Sequence, residues 1–346
     1  MNAVLALVLG AVALPPMACR ALGGQPPNPV PKLAALAPAA TLPSVAAVAV
    51  AATYAWWLAL LLAVPAVTLV IWQLPPPRRS GAAATSLLRR SRGDRPGPPS
   101  LRMLTLNVEG GKASAEAVVH CLREYVVDVL AAQELTPGMA RQLDVAGISG
   151  LLPFSEVDAR PGYAGTGIWS RSPVQPLPPV PGLISAAPRG IVSVSGQPVT
   201  ITAVHVLAPI HHRECRWQHE HDLLRSALAE ARGAQLVAGD FNATRDHRPF
   251  RQLLAAGFLD CADAAQRRRW PAFTWPSTRR GLPIMRLDHV LASRADFVVR
   301  ESRTIHIPGT DHRGVLATVE LGPVGLPWAG STTGGTAMRG VAVVRR

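Results

Sequence analysis

A chain of 346 residues is long enough for one large domain or two small ones, each with a full hydrophobic core. Its net charge of +13 suits anionic partners such as phosphates, nucleic acid or acidic lipid headgroups. Its four cysteines, Cys19, Cys121, Cys215 and Cys261, have no Cys-x-x-Cys spacing, which argues against a structural zinc site or a disulfide framework.

The charge is unevenly spread. Residues 1–100 hold eight Lys/Arg against one acid, and residues 101–346 hold twenty-seven against twenty-one. Lys32 and Lys112 are the only lysines, so the basic balance is equally a habit of an Arg-, Ala- and Pro-rich chain. Cys215 and Cys261 could pair in an oxidising compartment, or simply be small buried residues.

Taken in order, residues 1–73 are membrane material. Three chargeless apolar stretches occur, at 1–18 (broken by Pro15-Pro16), 34–52 and 54–72. The third is bracketed by Tyr54, Trp56, Trp57 and Trp72, aromatics suited to a lipid interface. A span needs about 20 apolar residues, so about three transmembrane helices are predicted. A cleaved signal peptide is the rival reading of the first, but its basic n-region is missing. Three spans would put Arg20, Lys32 and everything after Trp72 on one side. The six arginines between Arg78 and Arg95 would make that side cytoplasmic.

Residues 74–100 are rich in Pro, Arg, Gly and Ser and read as a flexible basic linker. From 101 to 321 strands and helices alternate. Strands are predicted at 102–107, 127–133, 165–170, 191–194, 199–205, 235–240, 287–292 and 315–321. Helices are predicted at 113–124, 137–145, 216–232 and 248–256. This interleaving, with several hairpin-like neighbours, predicts an α/β domain with mixed sheets. Residues 322–346 read as a disordered tail.

Polar residues close the apolar runs of this domain. In Gln235-Leu236-Val237-Ala238-Gly239-Asp240-Phe241-Asn242, a short buried strand meets a glycine expected to allow a tight turn, then a carboxylate and an amide. A carboxylate can orient or deprotonate water, and an amide can hold a phosphoryl oxygen. Asn107, Glu134, His205, Asp288 and the pair Asp311-His312 end or open other strands in the same way. Each has a plain structural reading: Asn107 as a turn residue, Glu134 as a cap of the helix after Pro137, His205 as a core histidine, Asp311 as an N-cap. Together, closing strand after strand, they point to a shared crevice at the sheet ends.

The series Leu-Asn-Val, Gln-Glu, Val-His-x-x-Ala-Pro, Gly-Asp-Phe-Asn-Ala, Arg-Leu-Asp-His-Val-Leu and Thr-Asp-His resembles the endonuclease/exonuclease/phosphatase superfamily. Over 101–321 the resemblance implies a DNase I-like, four-layer α/β/β/α sandwich, here preceded by transmembrane helices. It departs from the usual pattern where Thr310 replaces Ser and His289 replaces an aromatic. It implies a divalent metal, Mg²⁺ or Mn²⁺, with Glu134 as principal ligand and Asn107 and Asp311 nearby. It also implies Asp240 as the water-activating group, with Asn242 holding it and a phosphoryl oxygen. His312 would sit against the phosphate, paired with Asp288, and His205 would contact phosphate or protonate the leaving group.

The expected activity is therefore metal-dependent hydrolysis of a phosphoester or phosphoanhydride. Three spans, a basic linker and this domain resemble a bacterial branch associated with vancomycin and teicoplanin resistance. That implies a lipid-linked pyrophosphate as substrate and an extracytoplasmic domain, against the arginine count. The alternatives are a membrane-bound nuclease acting on nucleic acid and a scaffold with a decayed site. Protein partners are not legible.

Two tracts are read as structural. His211-His212-Arg213 through His219 and His221 look like a solvated loop opening a helix. Arg267-Arg268-Arg269-Trp270 with Phe273 and Trp275 could bind nucleic acid by charge and stacking, but core packing of the Trp ahead of the Asp288 strand is favoured.

Overall fold

The computed structural model describes residues 2–21, 29–74, 100–210, 212–265, 272–277 and 282–322. The predicted linker, apart from its first and last residues, and almost all of the predicted tail lie outside these residues, as does Arg267-Arg268-Arg269-Trp270.

Two six-stranded mixed sheets face each other. The first has the order β11-β12-β1-β2-β4-β3, from β1 (Ser100–Asn107), β2 (Val129–Gln133), β3 (Phe154–Asp158), β4 (Thr166–Ser170), β11 (Phe297–His306) and β12 (Arg313–Leu321). The second has the order β5-β6-β7-β8-β10-β9, from β5 (Val174–Leu177), β6 (Arg189–Val194), β7 (Gln197–His205), β8 (Ala234–Asp240), β9 (Phe258–Asp260) and β10 (Asp288–Ser293). All eight predicted strands are present. The four that sequence reading missed, β3, β5, β9 and β11, are the edges of the two sheets.

The four layers follow from the period-two alternation of side chains along each strand. Met103, Ala131, Ile201, Ala203, Leu236, Ala238, Val290 and Ala317 point into the layer between the sheets. Their sequence neighbours Leu104, Leu106 and Leu130 face the first helical layer, α6 (Ala115–Glu124) and α7 (Pro137–Val145). Val204, Val237 and Leu291 face the second, α8 (Glu214–Glu230) and α9 (Arg248–Ala255). With both faces covered, strands such as Val129–Gln133 are buried throughout. Ser114 caps α6 and Thr136 caps α7, each accepting a backbone N–H at 3.1 Å. Glu134 is thus free of the capping duty considered for it. A four-residue helix, α10 (Cys261–Ala264), follows β9.

The N-terminal part is helical: α1 (Asn2–Ala11), α2 (Leu14–Ala21), α3 (Val30–Ala35), α4 (Ala37–Ala52) and α5 (Trp56–Gln73). The stretches Asn2–Ala21 and Trp56–Gln73 are each long and apolar enough to cross a membrane by length and composition, and Ala37–Ala52 is shorter. The second apolar run breaks at Leu36, which closes α3 and precedes α4, with Pro38 in the first turn of α4. Cys215 and Cys261 are both free, the first exposed and the second buried, so they form no pair.

The helices meet the α/β domain on the segment 244–247. Arg20 pairs with Asp246, and His247 Nε2 donates to the Pro31 carbonyl at 2.8 Å. Gln73 Nε2 lies 3.5 Å from Asp246 Oδ1, and Arg245 donates to the Leu74 carbonyl at 3.2 Å.

Candidate active site

The same alternation that builds the core places the site. Asn107, His205, Asp240 and Asp288 share strand parity with the inward core residues of β1, β7, β8 and β10. They therefore stand on the inner faces of both sheets, at the open end of the layer between them. Register aligns three of them: His205 is opposite Asp240 across the parallel β7–β8 pair, and Asp240 is opposite Asp288 across the antiparallel β8–β10 pair. Neighbouring strands lie about 4.8 Å apart, so two carboxylates and an imidazole are held abreast.

Gly239 serves this arrangement differently from the tight turn expected of it. It lies within β8 beside Val204, where a Cβ would sit 1.8 Å from the Val204 carbonyl oxygen. The turn belongs to Asn242, which adopts φ 45° and whose N–H donates to Asp240 Oδ1 at 2.8 Å, closing an Asx turn. The Asn242 side chain donates to the Val206 carbonyl at 2.9 Å.

Three ring N–H groups hold this loop by consecutive carbonyls. His221 Nε2 lies 3.1 Å from the Phe241 oxygen, Trp217 Nε1 donates to the Asn242 oxygen at 3.1 Å, and His289 Nε2 lies 2.9 Å from the Ala243 oxygen. The other nitrogen of His289 meets Asp260 at 2.8 Å, and Asp260 in turn lies by Arg286. The sequence reading of His221 as part of a solvated tract is corrected: it is buried, together with Trp217 one helical turn before it. Burial pushes the His221 imidazole down to about 3, with the neighbouring His247 adding to the effect. The ring is therefore neutral, a donor at Nε2 only.

From the facing sheet, Asn107 bridges two carboxylates. Its Nδ2 donates to Glu134 Oε1 at 3.0 Å and to Asp240 Oδ2 at 3.1 Å, while its Oδ1 accepts the Glu109 N–H at 2.9 Å. Glu134 adopts φ 56°, a left-handed conformation uncommon outside glycine and seen here at a polar strand end. His205 Nε2 lies 3.8 Å from Glu134 and 4.0 Å from Asp240, and its Nδ1 donates to the Tyr163 carbonyl at 3.0 Å.

His312 Nδ1 meets Asp288 Oδ2 at 2.9 Å, and its Nε2 lies 3.8 Å from both Asp240 and Asp311. Burial opposes charge on this ring. The Asp288 carboxylate, followed by Asp240 and Asp311, outweighs burial and pushes the imidazole up to about 10. Asp240 is shifted the other way for a carboxylate: burial first, then the adjacent Asp288 charge, raise its pKa. Thr310, in place of the usual Ser, keeps the hydroxyl that donates to the Asn107 carbonyl at 2.8 Å and accepts the His312 N–H. Asp311 accepts the Trp275 indole N–H at 3.0 Å, which gives that Trp a polar role at the site rather than simple packing.

All eight residues singled out from the sequence thus lie at one end of the sandwich. Sequence reading missed Glu109, which accepts the Asp311 N–H at 2.8 Å and pairs with Lys112. It also missed Trp217, His221 and His289 as donors to the carbonyls of residues 241–243. Their four-residue and strand-parity spacings were visible, but nothing in the sequence says which carbonyl a buried ring will find.

The donor chemistry fits a hard divalent cation. Glu134, Asp240, Asp288 and Asp311 gather at one crevice, and Asp288 Oδ1 is buried without a hydrogen-bond partner. Asp240, Asp288 and His312 also place one ligand atom each within 4.8 Å of one another. A protonated His312 has no lone pair to give, so we read that close group as a charge-paired set and not as the metal seat.

Residues 104–312 match the model of the Endonuclease/Exonuclease/phosphatase family, well over half of the chain. No curated protein sequence matches. Among solved structures, a humanized D. rerio TDP2 carrying 14 mutations superposes with a TM-score of 0.54 at 20% identity, covering 64% of this chain and 99% of that one. D. rerio TDP2 complexed with a single-strand DNA product gives 0.53 at 20% identity over the same shares. A functionally unknown conserved protein from Enterococcus faecalis V583 gives 0.52 at 18% identity, covering 64% of this chain and all of that one. These likenesses bear out the DNase I-like α/β sandwich.

Proposed function

Since the chain belongs to the endonuclease/exonuclease/phosphatase family, we propose that it is a Mg²⁺-dependent hydrolase that opens a phosphoester or phosphoanhydride at a membrane by direct attack of water. One observation carries this reading: His205, Asp240 and Asp288 stand abreast on three strands while Asn107 ties Asp240 to Glu134 on the facing sheet.

Glu134 and Asp311, with Asn107 beside them, would hold the ion, which neutralises phosphate charge and stabilises the leaving oxygen when bound. Asp240 receives the proton of the attacking water. Its raised pKa makes it a better base than an ordinary aspartate, and the Asn242 N–H fixes the carboxylate plane. His312 presents an imidazolium Nε2 to a phosphoryl oxygen, with Asp288 setting its orientation and charge. His205, committed at Nδ1 to Tyr163, turns Nε2 into the crevice as the phosphate contact or leaving-group acid.

The apolar helices at the N-terminus support attachment to a membrane; the specific proposal is a multi-pass protein that acts at the bilayer on a lipid-linked (polyprenyl) pyrophosphate, with its α/β domain on the extracytoplasmic side. A second reading, a membrane-bound nuclease, is favoured by the likeness to TDP2, one structure of which holds a single-strand DNA product. The full chain in detergent, offered plasmid DNA, a phosphoinositide and a polyprenyl pyrophosphate with and without Mg²⁺, separates them. Mg²⁺-dependent release from the lipid pyrophosphate is expected; cleavage of DNA alone would overturn the lipid reading.

A further inference from the structure

The strand ends that carry the site are ringed by exposed apolar side chains. Tyr163, Ile184, Ile210, Leu282 and Ile284 are all exposed, Leu282 to 82%. They lie on four loops that converge on the crevice, Leu282 and Ile284 sharing one. The Tyr163 carbonyl binds His205, and Ser185, next to Ile184, has its hydroxyl 3.4 Å from the same ring. Ile210 lies five residues past His205. The Ile284 N–H donates at 3.0 Å to the carbonyl of Trp275, whose indole holds Asp311. A site for a free, hydrated phosphate has no use for such a rim, because exposed apolar surface gathered around a polar centre marks a contact with something apolar.

The chain itself says what covers it. The helices dock through Arg20, Pro31 and Gln73 onto Asp246 and His247, four to five residues past Asn242, and so at the same end of the sandwich as the rim. From there α5 runs away from the domain, exposing Trp56, Trp57, Leu60, Leu61, Val64 and Ile71. An apolar bundle rooted beside the crevice brings the crevice, and not the opposite end of the sheets, up to the lipid.

We infer that Tyr163, Ile184, Ile210, Leu282 and Ile284 rest in the lipid interface, so that the site acts on phosphate groups borne at the bilayer surface. This rests on the hydrolase reading above and on the helices spanning the membrane. Exposed Arg213, on the loop of Ile210, adds a cation suited to anionic headgroups.

The test uses the full chain in nanodiscs of phosphatidylcholine and phosphatidylglycerol. In a Cys215→Ser background, which removes the exposed thiol, spin labels are placed by Ile184→Cys, Leu282→Cys and Val145→Cys. Val145, 90% exposed, ends α7, which leads away from Thr136 at the site end, and serves as the aqueous reference. Labels at 184 and 282 are expected to collide several-fold more with oxygen, relative to a water-soluble nickel chelate, than the label at 145. Equal ratios at all three positions would overturn the inference. Turnover of soluble bis(p-nitrophenyl) phosphate with Mg²⁺ by the same samples separates the two layers. Turnover with water-exposed labels leaves the hydrolase standing and removes the rim, whereas no turnover, whatever the labels report, overturns the catalytic reading.

Discussion

Acid should unfold this protein through two buried histidines beside the loop that follows Asp240. Burial pushes His221 down to about 3 and His247 down to about 4, whereas both titrate near 6.5 in an unfolded chain. Above pH 6.5 neither state binds these protons and their contribution to stability is at its full value. Between about 6.5 and 4 the unfolded chain takes up two protons that the folded one refuses. The loss is then roughly 3 kcal/mol per pH unit, from about 1.4 kcal/mol per proton. A domain of marginal stability has little more than that to lose within two units. Urea unfolding of the full chain in detergent, followed by near-ultraviolet circular dichroism from pH 7.5 to 5, measures the slope. His221→Gln and His247→Gln should each remove about half of it while lowering stability at pH 7.5. A slope unchanged in both variants would refute the assignment of the acid transition to these rings.

Glu134→Gln keeps the side-chain volume and should cut Mg²⁺-dependent phosphate release by at least about 100-fold, read by single-turnover assay; a chelator should have the same effect on the unaltered protein, reversed by added Mg²⁺. Asp288→Asn removes the foremost charge holding His312 near 10, so the basic limb of the rate–pH profile should move toward neutral pH, with a loss of about 100-fold at pH 8. Gly239→Ala places a methyl against the Val204 carbonyl and should cost about 3 kcal/mol or more of stability, seen as a lowered unfolding midpoint. Arg20→Met leaves Asp246 buried without its cation and should cost roughly 3–5 kcal/mol, with a lower Tm in detergent.

The eight inner strands were legible because burial on both faces gives them unbroken apolar runs, as in Val129–Gln133. The four edge strands were not. Phe154–Asp158 is mostly exposed, β5 carries Pro176, β9 is three residues long, and β11 shifts register between Val299 and Glu301. An edge strand owes its existence to a partner, and its sequence need not announce it. The site residues were legible because a strand that ends in Asp, Asn or His stands out against apolar neighbours. The residues that hold them were not, since Trp217 and His221 look like any amphipathic helix until the loop they support is in place. Gly239 was identified correctly as special for an incorrect reason. Its lack of a side chain serves the neighbouring strand and not a turn.

β12 lies between β11 and β1, so the domain's first strand is completed by its last. Asp311 and His312 immediately precede that strand, and Thr310 fastens them to the Asn107 carbonyl. A growing chain therefore carries Asn107, Glu134, His205, Asp240 and Asp288 well before it can position the imidazolium that completes them. The eight-residue site is therefore complete only when translation has passed β12, with the N-terminal helices made long before. The order of synthesis thus sets the order of assembly, and the last two side chains of the site are also the last to be made.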